Sequence, residues 1–278
     1  MENVKLVTLA IVAVAVVLGC VAPSIVAAES VAAATENQTE GVAVKSQADI
    51  DERAVEILQK AANYLTSLKQ FSMKAVVVVD VVQESGQKLQ FGSTVEVTVK
   101  RPNRMFTLRT DDDGIVRRFW YNGKTATLYD EGENVYGQIP VPDTIDEMLD
   151  YLETVMEDPR PLADFLYNDL SHLFDCPVSG VYVDESYLED RVCNHLAFRG
   201  ESVDWQVWVD RGKNPFIRKI VITYKELPGE PQLAAHLEQW NIKPEFSDTL
   251  FQFHQPEGAR PIRVVVLQPR KEEKEGAQ

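Results

Sequence analysis

Positive charge is scarce in this chain. Against 43 Asp and Glu stand only 28 Lys and Arg, a formal charge of −15 over 278 residues. A surface this acidic repels phosphate backbones, which argues against a nucleic-acid partner. Histidine and cysteine are scarce as well, with four of one and three of the other. His172, His195, His236 and His254 are scattered, none at the spacing of a zinc protease and none beside Cys in a zinc pattern. There is no Gly-rich phosphate loop, GxSxG elbow, nucleotide fingerprint or internal repeat. Cys193 and His195 share one face of a strand, but a core histidine is far commoner than half of a nucleophilic pair. The chain is therefore expected to have no catalytic residue, metal or cofactor.

The apolar run LVTLAIVAVAVVLG after Lys5 is short for a membrane span, which needs about 20 residues, and has the size of an export signal. Residues 1–28 are read as that signal, with two cleavage readings. Val26-Ala27-Ala28 suits ordinary signal peptidase, whereas Val17-Leu18-Gly19-Cys20 resembles a lipoprotein box in which Cys20 would be acylated and anchor the chain to a membrane. Residues 29–48 show no period and read as a disordered spacer. One domain is expected over 49–268, followed by a charged tail, 269–278.

Asp49 with Glu52 opens a helix carrying Ile50, Ala54, Ile57, Leu58, Ala61, Leu65 and Leu68 at helical spacing. The period then falls to two. Six strands are predicted between Phe71 and Ile139, separated by turn-rich links that include Gly86, Gly114 and Asn122-Gly123. Val76 to Val79 does not alternate, so that strand is expected to be covered on both faces. Asp143 to Met156 is predicted helical, and Pro161 begins a shorter helix through Leu170. Strands resume at Gly180–Val183, Val192–Phe198, Val203–Asp210, Phe216–Tyr224, Gln232–Trp240, Leu250–Phe253 and, as an edge, Ile262–Leu267. In the hairpin from Val203 to Tyr224, Val203, Trp205, Val207 and Val209 alternate with polar residues, and Trp208 faces the other way. The plan is α+β, with one large antiparallel sheet interrupted by helices.

Once the segment holding Cys20 is cleaved or acylated, Cys176 and Cys193 remain as an even pair in an oxidising compartment. Sixteen residues lie between them. A disulfide there would stabilise by about 3 kcal/mol through the unfolded chain, and two buried free thiols are the alternative.

Phe119 to Asp130, FWYNGKTATLYD, resembles the Asp-Gly-Lys-containing hairpin of the LolA/LolB-like lipoprotein-carrier superfamily. CNHLAF, DWQVWVD, NPFIRKIVITYK, GEPQLAAHLEQWN and DTLFQFHQPEGA resemble a family of predicted periplasmic proteins within it, of no assigned biochemical role. The resemblance spans about Glu52 to Val266. It implies a curved antiparallel sheet, an incomplete barrel wrapped around helices, with an apolar cavity between sheet and helical lid. The expected location is the periplasm, or a lipid-anchored position on an envelope membrane, of a Gram-negative-type bacterium. In such a cavity Met148, Leu149, Leu152, Phe165 and Leu166 from the lid, with Phe119, Tyr121, Trp205 and Trp208 from the strands, are the candidate lining. The implied partner is a hydrophobic small molecule, lipid or lipoprotein. No carrier motif maps residue by residue onto these positions. An envelope-stress sensor or protein-interaction module on the same fold, or an inert structural protein, are the alternatives.

Overall fold

A computed structural model describes residues 50–156, 162–174 and 177–264. The signal and spacer, the charged tail, Cys20 and Cys176 lie outside these residues.

Helix α1, Glu52–Ser67, is capped by Asp51, whose carboxylate accepts from the amide of Arg53. The helix thus begins two residues later than a cap at Asp49 would give, because Ile50 is engaged elsewhere, in a parallel bridge with Gly180. Ala54, Leu58, Ala61, Ala62 and Leu65 are its buried stripe. Six strands follow: β1 Gln70–Val82, β2 Lys88–Lys100, β3 Arg104–Asp111, β4 Val116–Tyr121, β5 Thr125–Asp130 and β6 Val135–Pro140. Helix α2 is Ile145–Met156, and five more strands are β7 Ser179–Leu188, β8 Arg191–Arg199, β9 Val203–Asp210, β10 Ile217–Tyr224 and β11 Gln232–Asn241. A short β12, Arg260–Pro261, pairs in parallel with β6. All twelve form one open sheet in the order β12-β6-β5-β4-β3-β2-β1-β11-β10-β9-β8-β7. Two meanders are thus zipped together where β1 meets β11, Val77 opposite Ala235 and Val79 opposite Leu233.

Both helices pack on one face. There Phe71, Met73, Ala75 and Val77 of β1, Val97 and Val99 of β2, Tyr121, Val207, Ile220, Ile222 and Leu237 join the helix stripes in one core. In β11, Gln239 adopts φ 50 and the ladder gains one extra residue between Glu238 and Asn241. That bulge re-aims Trp240 to stack on Phe216 at 4.8 Å and tilt against Phe71.

Several expectations are corrected. The short helix from Pro161 to Leu170 is replaced, among the described residues, by two 3-10 turns, Ala163–Phe165 and Ser171–Phe174. Its amides are diverted: Asp146 accepts from Asn168 N and Asp169 N, and Asp169 accepts from Ser171 N. Side-chain acceptors thus take the donors that a helix would need. Leu250–Phe253 is not a strand, since Ser247 caps a 3-10 turn over Asp248–Phe251. The edge strand is Arg260–Pro261 rather than Ile262–Leu267, of which residues 265–267 lie outside the described chain. Val76 is 37% exposed, so the valine run is not covered on both faces. At Asn122-Gly123 only Gly123 has positive φ, and the Asn122 carboxamide holds the turn by accepting from Lys124 N and Thr125 N.

The outer face of β1 to β6 is crossed by the segment from Ile242 to Ala259. Gln70 donates to Pro244 O, Lys100 meets Asp248 at 2.6 Å, and Phe253 lies between Trp120 and Tyr136 at 5.2 and 4.8 Å. Phe251 is fully buried beneath this strap.

Candidate functional site

The expected lining residues do come together, but as a closed layer. Met148, Leu149, Leu152, Phe165, Leu166, Tyr121 and Trp205 are all buried, none more than 7% exposed. Phe119 is half-buried against the same core. Trp208 does not join them. It lies on the outer face, stacked on His195 at 4.1 Å and 10°, with the Lys219 ammonium 4.8 Å from the ring. Its cross-strand partners are those two residues, which is why an apolar ring is tolerated there.

Polar clamps hold the cap over residues 162–174 against the sheet. Arg101 donates to Leu166 O at 2.9 Å and to the Asn168 carboxamide oxygen at 2.8 Å. Burial lowers its pKa to about 10, against the opposing pull of Asp146, and it stays cationic at neutral pH. Tyr167 OH ties the cap to α2 by donating to Asp150 at 2.7 Å; separately, Tyr121 OH anchors the link before α2 by donating to Pro142 O at 2.8 Å, its pKa raised by burial to about 12.

Beyond the cap, the helix-bearing face of the β1–β4 meander is left partly exposed by the described residues. Val79 pairs directly with Phe91 and Val81 with Leu89, so these side chains share the face of Phe71 and Val77. Phe91 is 50% exposed and Leu89 38%. Val95 and Phe119, both half-buried, continue the surface across β2 and β4. Its far rim is ionic: Asp111 binds both Arg109 and Arg117, and Arg117 Nε reaches Asp130 at 3.0 Å. These two guanidinium groups balance these two carboxylates, and Asp112, which accepts from Gly92 N beside Phe91, adds with the exposed Asp113 an acidic border. Leu89 and Phe91 are not among the lining residues expected from the sequence. Period two marks them as strand residues but not as lying past the end of the helical layer. A concavity of about 490 Å³ opens beside α1, lined by Leu58, Leu173 and Phe198 together with Glu52 and Glu56.

The Cys193–His195 pair is not arranged for nucleophilic chemistry. Cys193 is fully buried and its thiol is pushed up to about 11, first by burial and then by Asp210. The His195 Nε2 is committed to the Gln206 carbonyl oxygen at 3.0 Å. With a thiol that far above neutrality the thiolate is absent at pH 7. Among the described residues no three His, Cys, Asp or Glu converge as metal ligands. Cys193 is the one half of the expected disulfide that is described.

An open antiparallel sheet carrying helices on one face is the fold the sequence resemblance implied, whereas the residues expected to line a cavity beneath the helices are packed together in the core. The chain belongs to the family described as "Predicted periplasmic protein (DUF2092)", whose model matches residues 54–265. It is accordingly a protein of the periplasm. No curated protein matches it. Among solved structures it is similar to an uncharacterized conserved protein from Thermus thermophilus, at 10% identity over 77% of this chain and 100% of that one, TM-score 0.43. The Mycobacterium tuberculosis lipoprotein LppX matches at 10% identity over 70% and 98%, TM-score 0.44. The LolA superfamily protein NE2245 from Nitrosomonas europaea matches at 12% over 72% and 97%, TM-score 0.35. No residue role is carried over from them. Among the described residues no helix is long and apolar enough to cross a membrane.

Proposed function

We propose that this chain is a non-catalytic envelope protein that holds an apolar ligand, such as an acyl chain of a lipid or lipoprotein, against the helix-bearing face of its sheet. The observation that carries the reading is the exposure of Leu89 and Phe91 on the helix-bearing face, bordered by half-buried Val79, Val81 and Val95. A monomeric surface would ordinarily replace such a cross-strand cluster with polar residues. In this reading Met148, Leu149, Leu152, Phe165, Leu166, Tyr121 and Trp205 form the closed floor on which the ligand ends. An apolar face with a few polar groups at its border suits an apolar chain better than a compact polar metabolite.

Binding of the fluorescent fatty acid cis-parinaric acid, read by its emission, tests this. Covering the exposed half of a phenylalanine side chain is worth about 1 to 1.5 kcal/mol. Phe91→Ser is therefore expected to weaken binding about ten-fold, while Val76→Ser on the outer face leaves it unchanged. Equal affinities for the parent and Phe91→Ser proteins, or no binding at all, would overturn the assignment.

A further inference from the structure

We infer that the outward edge of β7 is a strand-addition site for an extended partner segment in which apolar residues alternate with Lys or Arg. The two edges of the sheet are treated differently by the chain itself. At β6 the edge is closed by Arg260 and Ile262, whose amides donate to Asn134 O and Tyr136 O. At β7 the first residues are closed by another segment, Asp51 N donating to Gly180 O and the Asp51 carboxylate accepting from Tyr182 N; past a bulge at Val183, Glu185 N donates to the neighbouring Asp184 carboxylate. Ile50 and Asp51 then leave the edge as α1. From Val183 to Leu188, among the described residues, no strand or bridge pairs with the outward side.

The exposed apolar side chains gather on that edge. Of the eight large hydrophobic residues exposed among the described residues, Val178, Val181, Val183 and Tyr187 belong to β7 or its entry, Tyr187 at 83%. Edges that merely resist aggregation are polar or charged, and this one is apolar at three of its positions. The strand's own charge is acidic, although Arg211 already meets Glu185 and Arg191 stands 3.8 Å from Asp190. Asp184, Glu185, Glu189 and Asp190 are exposed, and no Lys or Arg occurs from Ser179 to Asp190. A second copy pairing antiparallel with β7 would set Asp184 and Glu185 against their own counterparts, where like charges directly opposite destabilise a ladder. A basic strand meets the same acids as partners. Main-chain hydrogen bonds would supply affinity and the alternating side chains selectivity, the logic of strand addition at a sheet edge.

The test uses the full chain and a fluorescein-labelled, end-blocked Val-Lys-Val-Lys-Val-Lys-Val peptide, with binding read by anisotropy. Two control peptides carry Glu in place of Lys, or N-methyl groups on alternate amides. The lysine peptide should bind about ten-fold or more tightly than either control. Asp184→Lys combined with Glu185→Lys, both exposed, should reverse the preference between the lysine and glutamate peptides, with the thermal melt confirming that the variant is folded. Hydrogen exchange should slow at residues 184–188 when the lysine peptide is bound. Undiminished binding of the N-methylated peptide, unaltered preference in the charge-reversed variant, or absence of binding would each overturn the proposal. So would a homodimer in sedimentation that Tyr187→Ser dissolves, since the edge would then belong to a second copy.

Discussion

Replacing Arg218 by Leu isolates the most concentrated buried electrostatic contact in the β9–β10 hairpin. Asp210 ends β9 with its side chain only 9% exposed, and one carboxylate oxygen accepts from Arg218 Nε at 3.0 Å and Nη2 at 2.8 Å. The other oxygen accepts from Gly212 N at 2.7 Å, and Arg191 stands 3.5 Å away, half-exposed. Breaking a buried pair by removing one partner costs about 3 to 5 kcal/mol, because the survivor keeps an uncompensated charge. Here Gly212 and Arg191 remain, so Arg218→Leu should cost about 2 to 3 kcal/mol. Asp210→Leu strands both the Arg218 guanidinium and the Gly212 amide and should cost about 3 to 4 kcal/mol. The double Leu variant should cost about 1 to 2 kcal/mol, well below the sum of the singles. Urea unfolding at pH 7, followed by far-ultraviolet circular dichroism and tryptophan emission together, measures all three. With a slope of about 2 to 3 kcal/mol per molar urea, Arg218→Leu should lower the midpoint by about 1 M. The penalty should persist in high salt, since the pair is shielded from mobile ions. Additive single costs, or an Arg218→Leu cost below about 0.5 kcal/mol, would show that the contact behaves as an ordinary surface ion pair and refute the reasoning.

Cys193 in reduced, folded protein should react with iodoacetamide at pH 8 about a hundredfold more slowly than free cysteine, because its thiol is raised to about 11 and its side chain is covered. A rate matching free cysteine would remove the argument, and in protein isolated without reductant, alkylation of both Cys176 and Cys193 after unfolding would exclude the expected disulfide. His172 and His195 are both held below the ordinary value of 6.5, chiefly by burial. The unfolded chain therefore takes up protons first, so their contribution to stability is intact above about pH 6.5 and declines as pH falls toward the folded values. Urea midpoints from pH 7.5 to 5.5 should fall less in the His172→Gln, His195→Gln double variant than in the parent, and parallel pH curves would contradict this.

Much of the fold is legible because strands and turns are written locally. The six strands expected between Phe71 and Ile139 are found between Gln70 and Pro140, since period-two patterning and the glycines at 86, 114 and 123, all with positive φ, mark strand and turn by backbone geometry alone. The cap departs from its predicted form for the opposite reason. Its apolar spacing is helical, yet Asp146, more than twenty residues away in sequence, takes its amides. The 3-10 turn at Phe251 has the pattern of a strand because its burial comes from lying across Lys100 and Trp120, not from a ladder. The candidate site shows the same division. Trp205 and Trp208 are expected to lie on opposite faces and do, with Trp205 buried and stacked on Phe198 at 4.3 Å and Trp208 turned outward. Which of the two faces the helices cover is absent from any single strand.

By itself, the amino-acid sequence determined the class of this protein: an acidic chain of short antiparallel strands interrupted by helices, belonging to a periplasmic family. Helix stripe, strand alternation and turn chemistry act over a few residues, and each survives reading one segment at a time. Tertiary structure alone decided that β1 closes against β11 more than 150 residues away, that the strap covers one face, and that the helical layer stops short of Leu89 and Phe91. It also decided that β7 ends the sheet, unpaired on its outer side from Val183 to Leu188 among the described residues. An alternating strand presents the same pattern whether a face is covered or open. Coverage depends on where distant segments come to rest, so the surfaces on which function depends become visible only when the chain is folded.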